Sequence, residues 1–496
     1  MLLAVFRAPY IDYHALAPEI VLTSTIIVIL LVDLLIARED QKVLVTNLAG
    51  IGVLASLVPI LTLAVDGTDR SMFGGAYVVD NFSLLLKALF FVVGYVVLLM
   101  STRYIEEGDY YEGEFAFLVL SSLLGMVVMS SARDLISIFV ALELLSLPAY
   151  MLAGWRKRDL RSNEAALKYY LLGVLSSAVM LYGMSLIFGV TGTTVLPEIA
   201  GKLAGAETAP VVTVGIFFII VGFAFKVSAV PFHFWAPDTY EGAPTPVTAF
   251  LSVASKTGGF VALFQLVFIA FPGQSAVWGP LFWVLAALSM TVGNLIALRQ
   301  TNIVRMLAYS SIAQAGYIMV PFAVAGANAR ALDTAKTASI VYLLIYAAMN
   351  LGAFAVVIAV ARKTRSGEIS SYGGLMSYAP GLCVLMTFFV FSLAGIPPLG
   401  GWFAKFYIFL AVLRAGTPSA VVLGVITAVN SVIALFYYAG IAREMWMSPA
   451  PDGDVSPIRI PAPLAAALGI CAVSVVAIGV YPQVFARLGD LASLAR

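Results

Sequence analysis

The sequence predicts an all-α polytopic membrane protein, with about 14 transmembrane helices and two inverted five-helix repeats that each contain a broken helix. Of its 496 residues, 61% are hydrophobic and only 11% are charged, which lies outside the usual range of soluble domains. Apolar runs long enough to cross a bilayer follow one another along the chain. Two of them are interrupted by proline close to a lysine, in "AFKVSAVPFHFWAPD" and "SLAGIPPLGGWFAK".

The apolar runs can be placed in order along the chain. They begin near residues 17, 44, 77, 112, 133, 164, 210, 243, 276, 303, 333, 379, 417 and 462. The first residues lack the basic start and small-residue cleavage site of a signal peptide, so the first run is expected to be a retained span. Basic loops at 156–161 and 362–365 would face the inside, which predicts an N-terminus outside.

An internal repeat is indicated by a shift of 167 positions, which places Pro231 on Pro398 and Trp235 on Trp402. Units of five spans necessarily have opposite topology. Paired broken helices in such inverted repeats build mid-membrane sites in many secondary transporters.

The repeat predicts four segments in the chain. An N-terminal three-helix segment is expected at 1–110, the first five-helix repeat at 111–272, the second at 273–446 and a C-terminal helix at 447–496. The connecting segments are short, so no soluble domain is expected.

Several classes of function are excluded by composition. A net charge of +1 leaves no basic face for nucleic acid. Cys383 and Cys471 lie alone in apolar runs, and His14 and His233 are the only histidines, so zinc, haem and iron–sulfur sites lack ligands. We also find no glycine motif for dinucleotides or phosphate. We therefore expect no cofactor on this chain.

Charged residues inside the apolar runs are the candidate functional residues, because a charge at the bilayer centre costs roughly 2.5–3.5 kcal/mol on insertion scales. Lys226 lies well inside its run, and Pro231 should free the carbonyl of Val227 one turn earlier. Irregular backbone at this depth is tolerated only beside protein or a water cavity, so water is expected at Lys226. The alternative is a lysine that snorkels to the interface.

Glu143, in "ALELLSLPAYML", is a buried carboxylate that needs a cation, and Lys226 is the best candidate. Burial disfavours the charged form of a lysine, whereas a nearby carboxylate favours it. Withdrawing the influence of the carboxylate would therefore let the lysine release its proton. The alternative is a static ion pair that fixes helix packing.

Five further residues complete the set. Lys256, in "LSVASKTGGF", lies among small residues that leave room for water, and Lys405 follows the second proline break. Both are expected to be functional. His233 is either a proton relay or a cap on the broken helix. Lys168 lies near the start of its run, where snorkelling is the alternative, and Lys87 has no evident partner.

The central charges run in the order Glu143, Lys226, Lys256 and Lys405. If the repeats lie side by side, these groups form a row across the membrane plane. Protons hop between titratable groups and water, whereas a bulky solute needs a pocket of its own. Ser310 falls where the repeat would place a second Glu143, so the two halves are not expected to be chemically equivalent.

Three stretches resemble the antiporter-like membrane subunits of respiratory complex I, a family that is similar to subunits of multi-protein sodium/proton antiporters. They are "ALELLSLPAYML" at 141–152, "FKVSAVPFHFWAPDTYEGAPTPVTAFLSVASKTGGF" at 225–260 and "FSLAGIPPLGGWFAKFYIF" at 391–409. Their order and spacing fit over roughly residues 75–445. The lysine at 405 separates this chain from family members that usually carry glutamate there.

The resemblance implies roles for individual residues. Glu143 and Lys226 would be the proton-input pair, Lys256 the central relay, and Lys405 the group on the outlet path. Lys168 matches a further family lysine of less certain role. We expect the Glu143–Lys226 pair to act as a two-state switch.

The resemblance also implies partners and a location. The chain would lie in a bacterial cell (inner) membrane, beside an antiporter-like neighbour and a small three-helix subunit. NADH, FMN, iron–sulfur clusters and quinone would be held by partner subunits. The alternatives are the ion-translocating subunit of a multisubunit sodium/proton antiporter, a solute transporter and a structural scaffold.

Overall fold

The computed structural model describes residues 10–36, 38–108, 112–204, 209–451 and 453–491. These residues are helical apart from one two-stranded antiparallel sheet, turns and connecting segments. Twelve of the described helices are long and apolar enough to cross a membrane, and Pro210–Lys226 and Pro380–Ala394 are shorter apolar helices. The predicted all-α polytopic membrane fold is therefore confirmed.

The chain begins with three long helices and a small sheet. They are α1 (Ala17–Leu35), α2 (Arg38–Asp66), β1 (Arg70–Met72), β2 (Tyr77–Val79) and α3 (Asn81–Glu107). The next elements are α4 (Glu112–Ser131), α5 (Leu135–Ala153), α6 (Leu160–Thr191), α7 (Leu196–Leu203), α8 (Pro210–Lys226), α9 (Trp235–Gly242), α10 (Thr245–Phe250) and α11 (Lys256–Gln265).

The remaining helices follow in the same order. They are α12 (Ser275–Ala297), α13 (Ile303–Val324), α14 (Ala329–Thr364), α15 (Leu375–Tyr378), α16 (Pro380–Ala394), α17 (Gly400–Ala415), α18 (Pro418–Met447), α19 (Ala462–Val480) and α20 (Pro482–Leu491). Each predicted start lies within a few residues of a helix start. The sequence predicted about 14 spans. Among the described residues, the structure has twelve helices long enough to span a membrane and two shorter apolar helices.

Polar side chains set several helix starts, because they accept hydrogen bonds from backbone N–H groups that have no partner in the first turn. The Asp80 side chain accepts from the Ser83 backbone at 2.8 Å and begins α3. Asp134 accepts from the backbone of Ile136 at 2.9 Å and begins α5. Asn302 begins α13 in the same way.

The first helix break lies earlier than the sequence predicted. α8 ends at Lys226, five residues before Pro231, and Ser228 has a positive φ of 60°. The expected free carbonyl at Val227 therefore lies outside the helix. The carbonyl of Phe225, in the last turn of α8, instead accepts a hydrogen bond from Trp235 Nε1 at 2.9 Å.

The second break separates α16 from α17. α16 ends at Ala394, and Gly395 follows with φ 91°, a conformation that a residue with a Cβ rarely adopts. A Cβ at Gly395 would also lie 2.7 Å from Lys405 Cδ. Both the backbone angle and the close lysine therefore require glycine. The Val230–Pro231 and Pro397–Pro398 peptide bonds are both cis.

A third irregularity was not foreseen from the sequence. One π-helical turn at 251–255 separates α10 from α11, and another at 266–270 follows α11. Single π-helical turns inside helices are rare and frequent at functional sites. Lys256 is the first residue after the first of these turns.

The two breaks and their flanking helices match under the 167-residue shift. The shift moves the bounds of α5, α6 and α8 close to those of α13, α14 and α16. The inverted five-helix repeats and the boundaries of 1–110, 111–272, 273–446 and 447–496 stay predictions.

Three spans are the most deeply buried of the twelve. In Thr245–Ala270, 94% of the most apolar window is buried, and in Ile303–Ala327 and Ala329–Thr364 the share is 89%. In Ala17–Leu35 and Leu160–Thr191 it is only 28%, so these helices present apolar side chains outward. A charge on the three interior spans is therefore surrounded by protein rather than by lipid.

We predict that Gly395→Ala lowers the midpoint of heat-induced unfolding of the detergent-purified protein. Holding alanine at a positive φ costs of order 1–3 kcal/mol, and its Cβ would also press on Lys405. Gly381→Ala, on the same helix α16, is the control, because nothing lies within 4 Å of its added Cβ. An unchanged midpoint for Gly395→Ala would contradict this account of the break.

Candidate functional site

Three buried lysines occupy the interior, and each lies at an interruption of a helix. Lys226, Lys256 and Lys405 are 3%, 1% and 5% exposed. Lys226 is the last residue of α8, Lys256 is the first of α11, and Lys405 lies in the second turn of α17. An interrupted helix leaves backbone groups without intrahelical partners, and these can stabilise a buried ammonium.

Lys226 is bound by two hydroxyl groups. Its Nζ donates to Ser146 Oγ at 2.9 Å and to the phenol oxygen of Tyr169 at 3.3 Å. The C-terminal end of α8 carries the negative end of the helix dipole, which favours a cation there.

Trp235 holds this arrangement together. Its ring stacks on Tyr169, with centroids 4.3 Å apart, while its Nε1 is bound to the carbonyl of Phe225. Trp235 therefore closes the end of α8 and positions the phenol that contacts Lys226. Sequence reasoning noted Trp235 in the repeat and missed this role.

Glu143 does not contact Lys226 in this structure. Its Oε1 accepts from Ser177 Oγ at 2.6 Å, and no ion pair joins it to Lys226 among the described residues. Ser146, one turn along α5, contacts the ammonium instead. The expected direct pair is therefore absent, and each charge is bound by a serine hydroxyl group instead.

Lys256 connects the two halves of the bundle. Its Nζ donates to the carbonyl of Ser311 at 2.8 Å and also to Ser311 Oγ. Ser311 lies on α13, and its Oγ is 3.5 Å from the phenol oxygen of Tyr240 on α9. No carboxylate contacts Lys256 in the part of the chain that the structure describes.

Lys405 closes the second broken helix. Its Nζ donates to the carbonyl of Ala394, the last residue of α16, at 2.6 Å. It also lies 4.6 Å from the centroid of the Tyr317 ring, within the range of a cation–π interaction. The negative end of a helix dipole and an aromatic face thus stabilise this cation.

Polar side chains on and around α13 join the surroundings of Lys256 to those of Lys405. Ser310 Oγ is 2.6 Å from the phenol oxygen of Tyr438. Gln314 Nε2 donates to that phenol oxygen at 3.4 Å and to the carbonyl of Leu393 at 3.2 Å, and Tyr342 donates to Gln314 Oε1. Leu393 directly precedes the residue that binds Lys405.

Sequence reasoning missed these neutral groups. Ser310, Gln314 and Tyr317 recur at three- and four-residue spacing, which places them on one face of α13. The available signal was the stretch "SSIAQAGY", whose polar residues repeat with the period of a helix inside an apolar run.

Buried polar atoms without a hydrogen-bond partner lie on the two residues that flank Lys256 in the chain and on α14. Ser255 Oγ, Thr257 Oγ1, Tyr346 OH and Asn350 Oδ1 form no hydrogen bond among the described residues. Ordered water commonly satisfies such atoms in protein interiors. Gly259 lets α11 approach the first break closely, since a Cβ there would lie 3.2 Å from Lys226 Cγ.

Lys168 lies apart from the buried row. Its side chain is 43% exposed, and Nζ forms ion pairs with Glu164 at 2.7 Å and Asp238 at 2.8 Å. Arg305 pairs with the same Asp238 and with Glu241, both at 2.9 Å. Lys168 therefore belongs to a partly exposed charge network that connects α6, α9 and α13.

His233 is buried within the first break, with its ring centroid 4.6 Å from that of Phe234. α9 begins at Trp235 with Phe234 as its N-cap, and no side chain caps it. His233 therefore does not cap the N-terminus of α9. Within the described residues, His233 makes no hydrogen bond to Lys226, Lys256 or Lys405. Its role as a relay stays a prediction.

Lys87 has a partner that the sequence did not reveal. Its Nζ forms an ion pair of 2.7 Å with Glu19 on α1. Glu19 is distant in sequence, so no local spacing could indicate the pair. Among the described residues, no group of three or more His, Cys, Asp or Glu side chains is placed to hold a metal ion.

The chain was compared with known proteins. A family model described as NADH:quinone oxidoreductase/Mrp antiporter, TM, matches residues 132–431. NADH-quinone oxidoreductase subunit N of Trichlorobacter lovleyi is 39% identical over 485 residues, which cover 97% of this chain and 97% of the relative.

Solved structures agree with these matches. A chain of respiratory complex I from Thermus thermophilus with bound aureothin aligns with a TM-score of 0.77 at 32% identity, over 95% of this chain and 99% of that chain. A chain of the Mrp complex from Dietzia sp. DQ12-45-1b gives a TM-score of 0.84 over 97% of each chain. Its identity is 22%, so this likeness shows the fold alone.

The matched region contains Glu143, the three buried lysines and both broken helices. The resemblance noted in the sequence is thereby confirmed. This chain belongs to the NADH:quinone oxidoreductase/Mrp antiporter transmembrane family.

Proposed function

We propose that this chain is a proton-translocating membrane-arm subunit of an NADH:quinone oxidoreductase, of the subunit N type, in a bacterial cell membrane with its N-terminus outside. One observation carries the proposal: Lys226, Lys256 and Lys405 are buried in the interior and bound by neutral hydroxyl and carbonyl groups. Extensive identity to subunit N of Trichlorobacter lovleyi supports it.

The chemistry of the row suits proton transfer. A hydroxyl group can donate one hydrogen bond while it accepts another, so it can pass on a proton that it receives. Ser146 and Tyr169 offer this at Lys226, and Ser311 offers it at Lys256. We assign Lys226 to proton input, Lys256 to the central relay and Lys405 to the outlet. Lys168 and His233 are secondary candidates.

Glu143 and Lys226 form the switch of this mechanism. In the present arrangement Ser177 binds the carboxylate and Ser146 binds the ammonium. Rotation of Glu143 towards Ser146 would bring the carboxylate to the ammonium and favour its charged form. Return to Ser177 would withdraw that influence and let the proton move towards Lys256. A neighbouring subunit would bias the two states.

Energy for this transport comes from other chains. Moving one charge against 100 mV costs about 2.3 kcal/mol, which an isolated proton path cannot supply. NADH, FMN, iron–sulfur clusters and quinone would bind to partner subunits. An antiporter-like subunit and a small three-helix subunit would flank this chain in the membrane arm. The chain is thus part of a translocase and holds no redox centre.

The alternative is the ion-translocating subunit of a multisubunit sodium/proton antiporter, because the description of the matched family also names the Mrp antiporter. Sodium, however, is a hard cation that needs several oxygen ligands. The row offers one carboxylate, Glu143, against three lysines. A solute transporter would need a pocket in the row, whereas a cavity of about 500 Å³ is lined by α12 and α13 residues such as Trp283 and Val324 and by none of the lysines.

We predict that Lys226→Ala and Lys256→Ala each lower the number of protons pumped per NADH in the assembled complex, since each removes one proton-binding side chain from the row of buried lysines. Proton uptake into vesicles is measured together with NADH oxidation. Lys202→Ala, on α7, is the matched control, because that lysine is exposed. A structural scaffold would keep full pumping in all three variants.

We predict that affinity purification through a tag on this chain recovers subunits that carry flavin and iron–sulfur clusters. NADH-driven proton transport should be equally fast when sodium is replaced by choline, because sodium has no site in the row. Recovery of cation-antiporter subunits alone, or a several-fold loss of transport without sodium, would favour the antiporter alternative.

A further inference from the structure

The N-terminal helices contain a buried cluster that the proposed proton row does not use. Lys87 is 0% exposed and Glu19 is 7% exposed. Lys87 Nζ lies 2.7 Å from Glu19 Oε1 and 3.1 Å from the phenol oxygen of Tyr77. Tyr77 itself donates to Glu19 Oε1 at 2.6 Å. An acid, a phenol and an amine thus touch one another inside the protein.

One atom of this cluster is not used by the protein. Glu19 Oε2 is buried and has no hydrogen-bond partner among the described residues. A buried ion pair that serves only packing is stabilised when hydrogen bonds satisfy its remaining lone pairs. Here the second carboxylate oxygen stays available to bind a proton or water.

The position of the cluster is near one end of the bundle. Glu19 is the third residue of α1, and Lys87 lies in the second turn of α3. Both helices begin on the same side of the bundle, and Tyr10 and Tyr13 in the segment before α1 are exposed. The surface on that side is therefore only about two helical turns away from Lys87.

Polar groups also extend from the cluster towards α11. Gln265, the last residue of α11, donates to the carbonyls of Met129 and Ser130 at 2.8 and 3.0 Å. Arg133 Nη1 donates to the same Ser130 carbonyl at 3.2 Å, and Arg133 Nη2 pairs with Asp80 at 2.8 Å. Asp80 caps α3, the helix that carries Lys87.

The two-stranded sheet links the Arg133–Asp80 ion pair to the cluster of Glu19, Tyr77 and Lys87. Tyr77 on β2 bridges to Ala132, directly before Arg133, and Arg133 N donates to the carbonyl of Ala76 at 2.8 Å. Arg133 and Asp80 are themselves buried, since each side chain is 1% exposed. The cluster is thus continuous with buried polar structure that reaches the end of the Lys256 helix.

We propose that Glu19, Tyr77 and Lys87 form a second proton-binding site, which releases protons to the side of the bundle on which α1 begins. This inference rests on the proposed function. The Lys87 ammonium transfers a proton to the Glu19 carboxylate, directly or through Tyr77, and leaves a neutral amine and a neutral acid. The proton arrives on Oε1, the oxygen that Lys87 and Tyr77 contact. Rotation of the carboxylic acid group then turns the protonated oxygen to the unpartnered position of Oε2, from which the proton leaves to solvent. Lys87 takes up another proton from the interior.

The competing explanation is a static ion pair that fastens α1 to α3. Removing one partner of a buried pair is strongly destabilising, whereas replacing both with neutral groups of similar volume is often harmless. The double variant Glu19→Gln with Lys87→Met therefore separates the two explanations. A static pair predicts normal pumping by the double variant, and a proton-binding site predicts a loss.

The test uses the assembled complex in vesicles, in which protons pumped and NADH oxidised are measured together. We expect the double variant to pump fewer protons per NADH than the wild type, by the same fraction as Lys87→Met alone. Asp12→Asn with Arg70→Gln removes a more exposed pair of 2.6 Å on the same side and should leave the ratio unchanged. A wild-type ratio in the assembled Glu19/Lys87 double variant would overturn the proposal.

A second measurement covers variants that fail to assemble. In infrared difference spectra recorded during turnover, the wild-type complex should show a protonated-carboxyl band that shifts in Glu19→Asp, which keeps the charge. A spectrum without such a shift would overturn the proposal. Lys226→Ala is measured in parallel. Full pumping by Lys226→Ala would refute the proposed function. If Lys226→Ala pumps poorly and the Glu19/Lys87 double variant pumps normally, only this inference is refuted.

Discussion

The cost of placing a charge in a membrane interior governs the structure around the three lysines. Each ammonium needs hydrogen-bond acceptors, which the surrounding apolar side chains cannot supply. The chain supplies them by interrupting its helices beside every one of these lysines, through two breaks and a π-helical turn. The interruptions expose carbonyls and admit hydroxyl groups such as Ser146 and Ser311. Neutral acceptors stabilise the cation without fixing it to one anion, which leaves its proton free to move.

The same interruptions connect the two halves of the bundle. Lys256 in the first half is bound to Ser311 on α13 in the second, so the central lysine belongs to both. Gln314 on the same helix reaches the carbonyl of Leu393, beside the end of α16 that binds Lys405. A displacement of α13 would therefore change the surroundings of two lysines at once. In the proposed mechanism, such a displacement would couple successive proton transfers.

The sequence was most informative where a property is local. Hydrophobic run length predicted the helices, and the burial of Lys226, Lys256 and Lys405 follows from charges placed deep inside such runs. Partners could not be predicted in this way, because Glu19 meets Lys87, and Ser311 meets Lys256, only after the helices pack. The expected contact of Glu143 with Lys226 rested on charge complementarity, whereas in the structure Ser177 binds the carboxylate and Ser146 binds the ammonium. The π-helical turn at 251–255 left no recognisable signature in "LSVASKTGGF".

The central claim is that protons pass along the row from Lys226 through Lys256 to Lys405. The most direct measurement is an electron cryo-microscopy structure of the assembled complex at a resolution that shows ordered water. The account predicts water bound at Ser255, Thr257 and Asn350 and continuous hydrogen bonding between successive lysines. Dry gaps packed with apolar side chains at every link of the row, in all conformations resolved, would contradict it.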